Sequence, residues 1–415
     1  MSGPERALCA LGVALALGEG CAWAALAWLA ACLWRGPARG LSPPGAAPAW
    51  GPAAAGLALY GAAGACAWLT GPYGLLRPGA LAHLAPLLAW PLVARAAGRA
   101  TPAGRARAVR AFGAAVLGSV LLGLLLGAPQ LLRAEAWVRL DTWAGEQNNV
   151  PSGLARAAGG LYFHRLKMAH VLLVALGPLW AYVLLGRASG ARLARAAGAL
   201  ALTALALCLT FARAAYLGAA VGAGAVMVVA AVGRAAPRRR LGAWAALALC
   251  CGALVMAGRP DVRQRLLSTS SSDAAQVRAV IWSQAAAILW DHPYGIGLGN
   301  YPEVVARYYA ANDPLTPSPR TYPHSVWLMA WAEAGPLGAL GFALFWLQLW
   351  LVGARALAGG ATPRHRQAGA ALLFAVSALM TVGLTHDVLF HNIVALVFFS
   401  ALGMATAELA PQAGP

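Results

Sequence analysis

Apolar residues run in long unbroken stretches along this chain, and polar residues gather in short clusters between them. Many stretches approach about 20 residues, the length a helix needs to cross roughly 30 Å of hydrocarbon. The pattern predicts spans at 49–70, 75–97, 109–131, 168–186, 193–211, 214–233, 241–258, 326–353, 367–385 and 388–409. Continuous apolar runs exclude a transmembrane barrel, whose strands alternate lipid-facing and lumen-facing positions. Helices must then satisfy the backbone in lipid, so the fold class is an all-α polytopic membrane protein.

Residues 7–34 could form one long helix or two short ones, and charge parity decides between them. Arg95, Arg99, Arg105, Arg107 and Arg110 fill one short connection that contains no acid. Arg35/Arg39, Arg187/Arg192/Arg195, Arg234/Arg238/Arg239/Arg240 and Arg355/Arg364/Arg366 mark four more. Arginine-rich short loops belong on the cytoplasmic side. All five, with the N-terminus, fall on one side only if 7–34 is a hairpin turning at Gly18-Glu19-Gly20. Each arm is then short, which tilt or local thinning of the bilayer accommodates. A signal peptide is the competing reading, since Arg6 precedes an apolar stretch and Leu17-Gly18-Glu19-Gly20-Cys21 faintly resembles a lipoprotein cleavage site. The acid at the turn and the apolar stretch directly after it argue against cleavage. The expectation is about twelve transmembrane helices with both termini cytoplasmic. Residues 1–258 would supply helices 1–9, 259–324 a large helical periplasmic cap loop, and 325–415 helices 10–12.

Composition agrees with this pattern: 60% of residues are hydrophobic and only 11% charged, too few for a soluble surface. The net charge of +18 would suit nucleic acid if the basic residues formed one patch. They sit instead mostly in the short arginine-rich loops, where they set orientation. Cys9, Cys21, Cys32, Cys66, Cys208, Cys250 and Cys251 all lie in apolar segments, with neither a disulfide framework nor metal-ligand spacing.

Two connections on the opposite side are long, 132–167 and 259–324. The second contains a helical pattern from Gln276 to Trp290, with Val277, Ile281, Ala285 and Ile288 on one face. A turn-rich connector follows, His292-Pro293-Tyr294-Gly295-Ile296-Gly297-Leu298-Gly299-Asn300, and then an extended stretch, 312–323, that suits a lid. The arginine-rich loops have no internal acid and one histidine, His365, so the chemistry belongs on the outer face. There, Arg278 precedes Trp282, the connector follows, Tyr322-Pro323-His324-Ser325 opens a helix, and Glu333-Ala334-Gly335 lies within it.

This succession resembles the signature of the O-antigen ligase and polymerase superfamily: Arg shortly before Trp, a His-Pro-x-x-Gly-x-Gly turn, and Pro-His-Asn opening a helix that reaches Glu-x-Gly. Ser325 stands where that family usually has Asn. The resemblance implies a glycosyltransferase in the bacterial inner membrane. With no Asp-x-Asp and the outer acids scattered, arginine would replace a metal and no cofactor is expected, and a single displacement would invert the anomeric centre. The enzyme would be a ligase that moves polysaccharide from undecaprenyl diphosphate to a sugar hydroxyl of lipid A-core. Arg213, at the outer end of an earlier helix, matches the essential arginine of such ligases; with Arg278 it would bind the donor diphosphate bidentately. His324 is the candidate general base, since imidazole titrates near neutral pH. Arg265, with Arg259 and Arg263 beside it, is a further candidate for phosphate, or else a solvated loop face. His164, Arg165 and Lys167 are candidate substrate contacts or interfacial anchors, and Tyr322 is a candidate contact. His292 reads as a turn residue, Glu333 as a brace between helices, and His386 and His391 as packing residues. An O-antigen polymerase or a protein O-oligosaccharyltransferase shares the same motif. A lipid-linked glycan transporter is the rival of another class, although it would place polar groups near the bilayer midplane.

Overall fold

The computed structural model describes residues 2–35, 47–74, 84–127, 165–186, 189–210, 212–235, 272–309 and 322–410. The described residues are helical, with no strand among them, and the protein is an all-α polytopic membrane protein. The helices are α1 (Gly3–Leu17), α2 (Glu19–Arg35), α3 (Ala47–Thr70), α4 (Ala89–Arg99), α5 (Pro102–Gly127), α6 (Arg165–Leu185), α7 (Gly190–Leu209), α8 (Arg213–Val232), α9 (Ser272–Asp291), α10 (Tyr301–Val305), α11 (Val326–Gly359), α12 (Pro363–Gly383) and α13 (Asn392–Leu409). Seven of these, α3, α6, α7, α8, α11, α12 and α13, are long and apolar enough to cross a membrane. The span expected at 241–258 lies outside the described residues. The one expected at 388–409 begins with a 3-10 turn, Val388–Phe390, so its helix proper starts at Asn392.

Residues 7–34 form two helices that turn at Gly18, whose φ of 133° is open to glycine. The two ends of this hairpin are fixed to opposite ends of the bundle. At one end Ser2 and Glu5 make a capping box, and Glu5 Oε1 also accepts from the Thr101 hydroxyl at 2.6 Å and backbone N–H at 3.1 Å. At the other, Asn392 Nδ2 donates to Glu19 Oε1 at 2.8 Å. Arg105 Nε meets Glu408 Oε1 at 2.6 Å at the Glu5 end, tying α5 to the last turn of α13. The acids near the two chain ends are thus both ion-paired at this end of the bundle, Glu408 with Arg105 and Glu5 with Arg107 at 3.5 Å.

α6 is apolar around its whole circumference and runs through the middle of the bundle, flanked by α12 and α13. α3 packs on α11 at very short range. A Cβ on Gly56 would stand 2.7 Å from the Gly341 carbonyl oxygen, so small residues set this approach, as is usual where lipid provides no hydrophobic drive.

α11 bends at Gly335, whose φ is 66°, just before Pro336. Pro336 has no N–H to give the Ala332 carbonyl four residues earlier, which leaves that acceptor without its helical partner. The connector after α9 supplies the donors: Ile296 N–H bonds Ala332 O at 3.0 Å, and Gly297 N–H bonds Glu333 O at 2.9 Å. Gly295 fits here because a Cβ would fall 2.6 Å from Glu333 O. The Asn300 amide donates to Gly74 O at 2.6 Å and Ile296 O at 2.8 Å, and Trp68 Nε1 donates to Leu298 O at 2.9 Å. A small core of Ala285, Ile288, Ile296, Tyr301 and Val304 seats α9 and α10 against Met329 and Ala332. The cap is thereby fixed to α3 and α11.

Candidate functional site

Pro323, His324 and Ser325 bring the chain into α11. Ser325 is the N-cap and its hydroxyl accepts from Leu328 N–H at 3.4 Å. Serine caps about as well as asparagine, which gives this departure from the motif a local role. His324 has a φ of 48°, a left-handed conformation that a non-glycine residue adopts only where its surroundings hold it. Trp282 of α9 provides part of that hold, since its Nε1 donates to the Pro323 carbonyl at 3.1 Å.

The His324 ring faces the turn between α12 and α13. Its Nδ1 lies 3.4 Å from Asp387 Oδ1, an ion pair whenever the ring is protonated. Asp387 is buried, and burial works against its carboxylate. The His324 hydrogen bond and the nearby His391 outweigh that, holding Asp387 down at about 2. It is therefore ionised at neutral pH. His386, its neighbour, is pushed the other way, to about 4, by burial first and by the charge of Arg278 next; His324 and Arg165 add to the shift. It stays neutral. Burial also lowers His391, with Lys167 and His324 adding to the effect against Asp387 and Glu19. His170, from the second turn of α6, brings its ring to 5.8 Å from His386 and 6.3 Å from His391.

Arg278 of α9 comes over the same turn and is half-buried. Burial and the like charge of Arg213 both pull its guanidinium below the ordinary arginine value. Two guanidinium groups close enough to oppose one another make a place that an anion with several oxygens would stabilise. Arg165 joins them at the start of α6, where its NH1 donates to Thr210 O at 3.4 Å, three residues before Arg213.

Arg213, Arg278, His324, Arg165 and Lys167 thus gather at one end of the bundle, linked through the His386–His391 turn. Tyr322 packs with the core of the cap. His164 and Arg265 lie outside the described residues. His292, in the connector, bonds the hydroxyl of Tyr73, just after α3, at 3.0 Å and is not part of this cluster. Glu333 is buried and accepts from Tyr301 N–H at 3.4 Å, so it ties the cap to α11. His386 and His391, read from sequence as packing residues, stand inside the cluster. Asp387 and His170 were missed. A lone acid in the short polar turn Thr385-His386-Asp387 between two spans was the available signal for the first. His170 carries none, being one histidine in an apolar helix. Among the described residues no group of three or more His, Cys, Asp or Glu side chains is placed to hold a metal ion.

Residues 198–343 match the family model described as Wzy_C, O-antigen ligase. That region runs from within α7 through the cap to just beyond the kink of α11. It contains Arg213, Arg278, His324 and Glu333, whereas Asp387 lies beyond it. No curated protein matches the chain.

Proposed function

We propose that this chain, a member of the O-antigen ligase and polymerase superfamily, is the ligase. It would transfer polysaccharide from undecaprenyl diphosphate to a sugar hydroxyl of lipid A-core on the periplasmic face of the inner membrane. The observation that carries the reading is the His324–Asp387 pair standing beside the Arg213–Arg278 cluster.

The acceptor hydroxyl oxygen forms a bond to the anomeric carbon while the bond from that carbon to the diphosphate oxygen breaks. His324 Nε2 takes the hydroxyl proton. Asp387, ionised and on Nδ1, fixes the tautomer that leaves Nε2 free to accept it and then stabilises the imidazolium. Undecaprenyl diphosphate departs with the electron pair, and its growing negative charge falls on Arg278 and Arg213, with Arg165 adjacent. Fixed cations aimed at a developing charge contribute about 3–4 kcal/mol each in comparable sites. One displacement inverts the anomeric centre. The arginines supply the charge for which other transferases employ a divalent ion.

A purified-enzyme assay with lipid-linked donor, lipid A-core and EDTA tests this. Transfer should continue with chelator, and His324→Ala, Arg278→Ala and Arg213→Ala should each reduce it by more than about 100-fold. Undiminished transfer by His324→Ala would remove the general base from the mechanism. Chain extension of the donor without transfer to lipid A-core would assign the protein as a polymerase, and transfer to a protein hydroxyl would assign it as an oligosaccharyltransferase.

A further inference from the structure

The cap carries an aromatic edge that its own core leaves uncovered. Trp290 is 87% exposed and Tyr294 83%, one on the last turn of α9 and the other in the connector. Neither contributes to the cluster around His324. Their position relative to the bundle is fixed by backbone contacts. The Tyr294 carbonyl would stand 2.8 Å from a Cβ on Gly335, and Gly295 O would stand 3.7 Å from one on Gly71. The connector therefore rests across the kink of α11 and the end of α3.

The lipid-facing surface begins directly below that line. On α11, Leu337, Leu340, Leu344 and Leu347 are exposed at helical spacing, and Leu69 is exposed on the last turn of α3. In a bundle that spans a membrane, these exposed leucines face acyl chains. Tyr294 lies at the head of the stripe, its backbone against Gly335, two residues before Leu337. The same edge also holds polar groups that fix its depth. Asp291 accepts from the Tyr308 hydroxyl at 2.9 Å, and Arg307 lies over the Tyr73 ring at 4.8 Å. Charges of this kind are too costly within hydrocarbon, and uncovered Trp and Tyr joined to a leucine stripe are costly in water. The headgroup layer satisfies both, since amphipathic rings settle with one edge apolar and one wet.

We propose that Trp290 and Tyr294 seat the cap in the lipid headgroup layer at the site end of the bundle. The cap then lies in the membrane surface, where it meets a lipid-borne diphosphate, and does not stand clear in water. This conclusion depends on the membrane-spanning fold and is independent of the reaction assigned to the site.

The test replaces Trp290 or Tyr294 by benzoylphenylalanine in the full chain, reconstituted in phosphatidylethanolamine–phosphatidylglycerol vesicles. Leu340, in the middle of the stripe, serves as the reference for contact with lipid. Hexose oligosaccharides are included in the buffer, because exposed aromatic rings also stack on sugars. After illumination, mass spectrometry should find phospholipid adducts at 290 and 294 at yields comparable with position 340. Adducts with oligosaccharide in their place would identify a glycan platform and overturn the proposal. So would the absence of phospholipid adducts at 290 and 294 when position 340 labels normally. A ligase assay on the same variants reports separately on the reaction.

Discussion

Asp387 is buried beside a histidine yet carries its charge, and the His324 ring 3.4 Å away is what its position serves. Asp387→Asn preserves shape but loses the charge that selects the tautomer, so we expect kcat to fall about 10²–10⁴-fold with KM little changed. Steady-state transfer assays measure this, and an unchanged kcat would reduce Asp387 to a packing role. His386 gives a prediction about pH. Its folded value, about 4, is below the ordinary 6.5, so the unfolded chain binds its proton more readily. Its contribution to stability is therefore complete above about pH 6.5 and is lost as pH falls towards 4. Thermal midpoints in detergent should decline across that window, and His386→Gln should flatten the decline. His324, Arg278 and Arg213 were legible as candidates from sequence through the motif they share with the superfamily, and Arg213 also because a lone cation at the rim of a membrane helix is unusual. Asp387 escaped because its meaning depends on a histidine 63 positions earlier, a proximity that only the bundle creates.

The joint between the connector and α11 determines where Arg278 sits. Gly295 has a φ of 92° and space for hydrogen alone against Glu333 O. Gly295→Ala should cost on the order of 2–4 kcal/mol locally through strain and collision. Limited proteolysis should show the cap opening while the spans remain inserted, with transfer activity lost in parallel. Glu333 acts at the same joint through its acceptor oxygen. Glu333→Gln keeps an acceptor for Tyr301 N–H and should retain activity. Glu333→Leu leaves that buried donor unsatisfied and should destabilise the cap by about 1–3 kcal/mol. Glycine and proline spacing made the connector legible as a turn, and helical periodicity made α9 legible. The docking was not legible. The acceptor that Pro336 frees at Ala332 is met by Ile296, 36 residues away, and no local pattern records that pairing.

Across the whole molecule, charge parity alone resolved the hairpin at 7–34, because a single crossing there would have put the N-terminus on the side opposite the five arginine-rich loops. The structure shows the physical anchors of that arrangement, Glu19 to Asn392 at the site end and Glu5 to Thr101 at the other. A long single helix would have had no turn at Gly18 to bring the chain back to the Glu5 end. With the turn, the chain leaves and re-enters the same end within 35 residues. Topology reporters follow from this. A water-soluble thiol reagent applied from the periplasmic side should label a cysteine at Gly20, in the turn, but not one at Ala103, in the first turn of α5. Permeabilised cells should label both. Equal labelling of the two positions in intact cells would place the hairpin turn and the arginine-rich connection on one side. Labelling at Ala103 in intact cells would put the arginine-rich connections outside, and His324 and Arg278, five expected spans further on, would then face inwards, where a donor presented outside could not reach them.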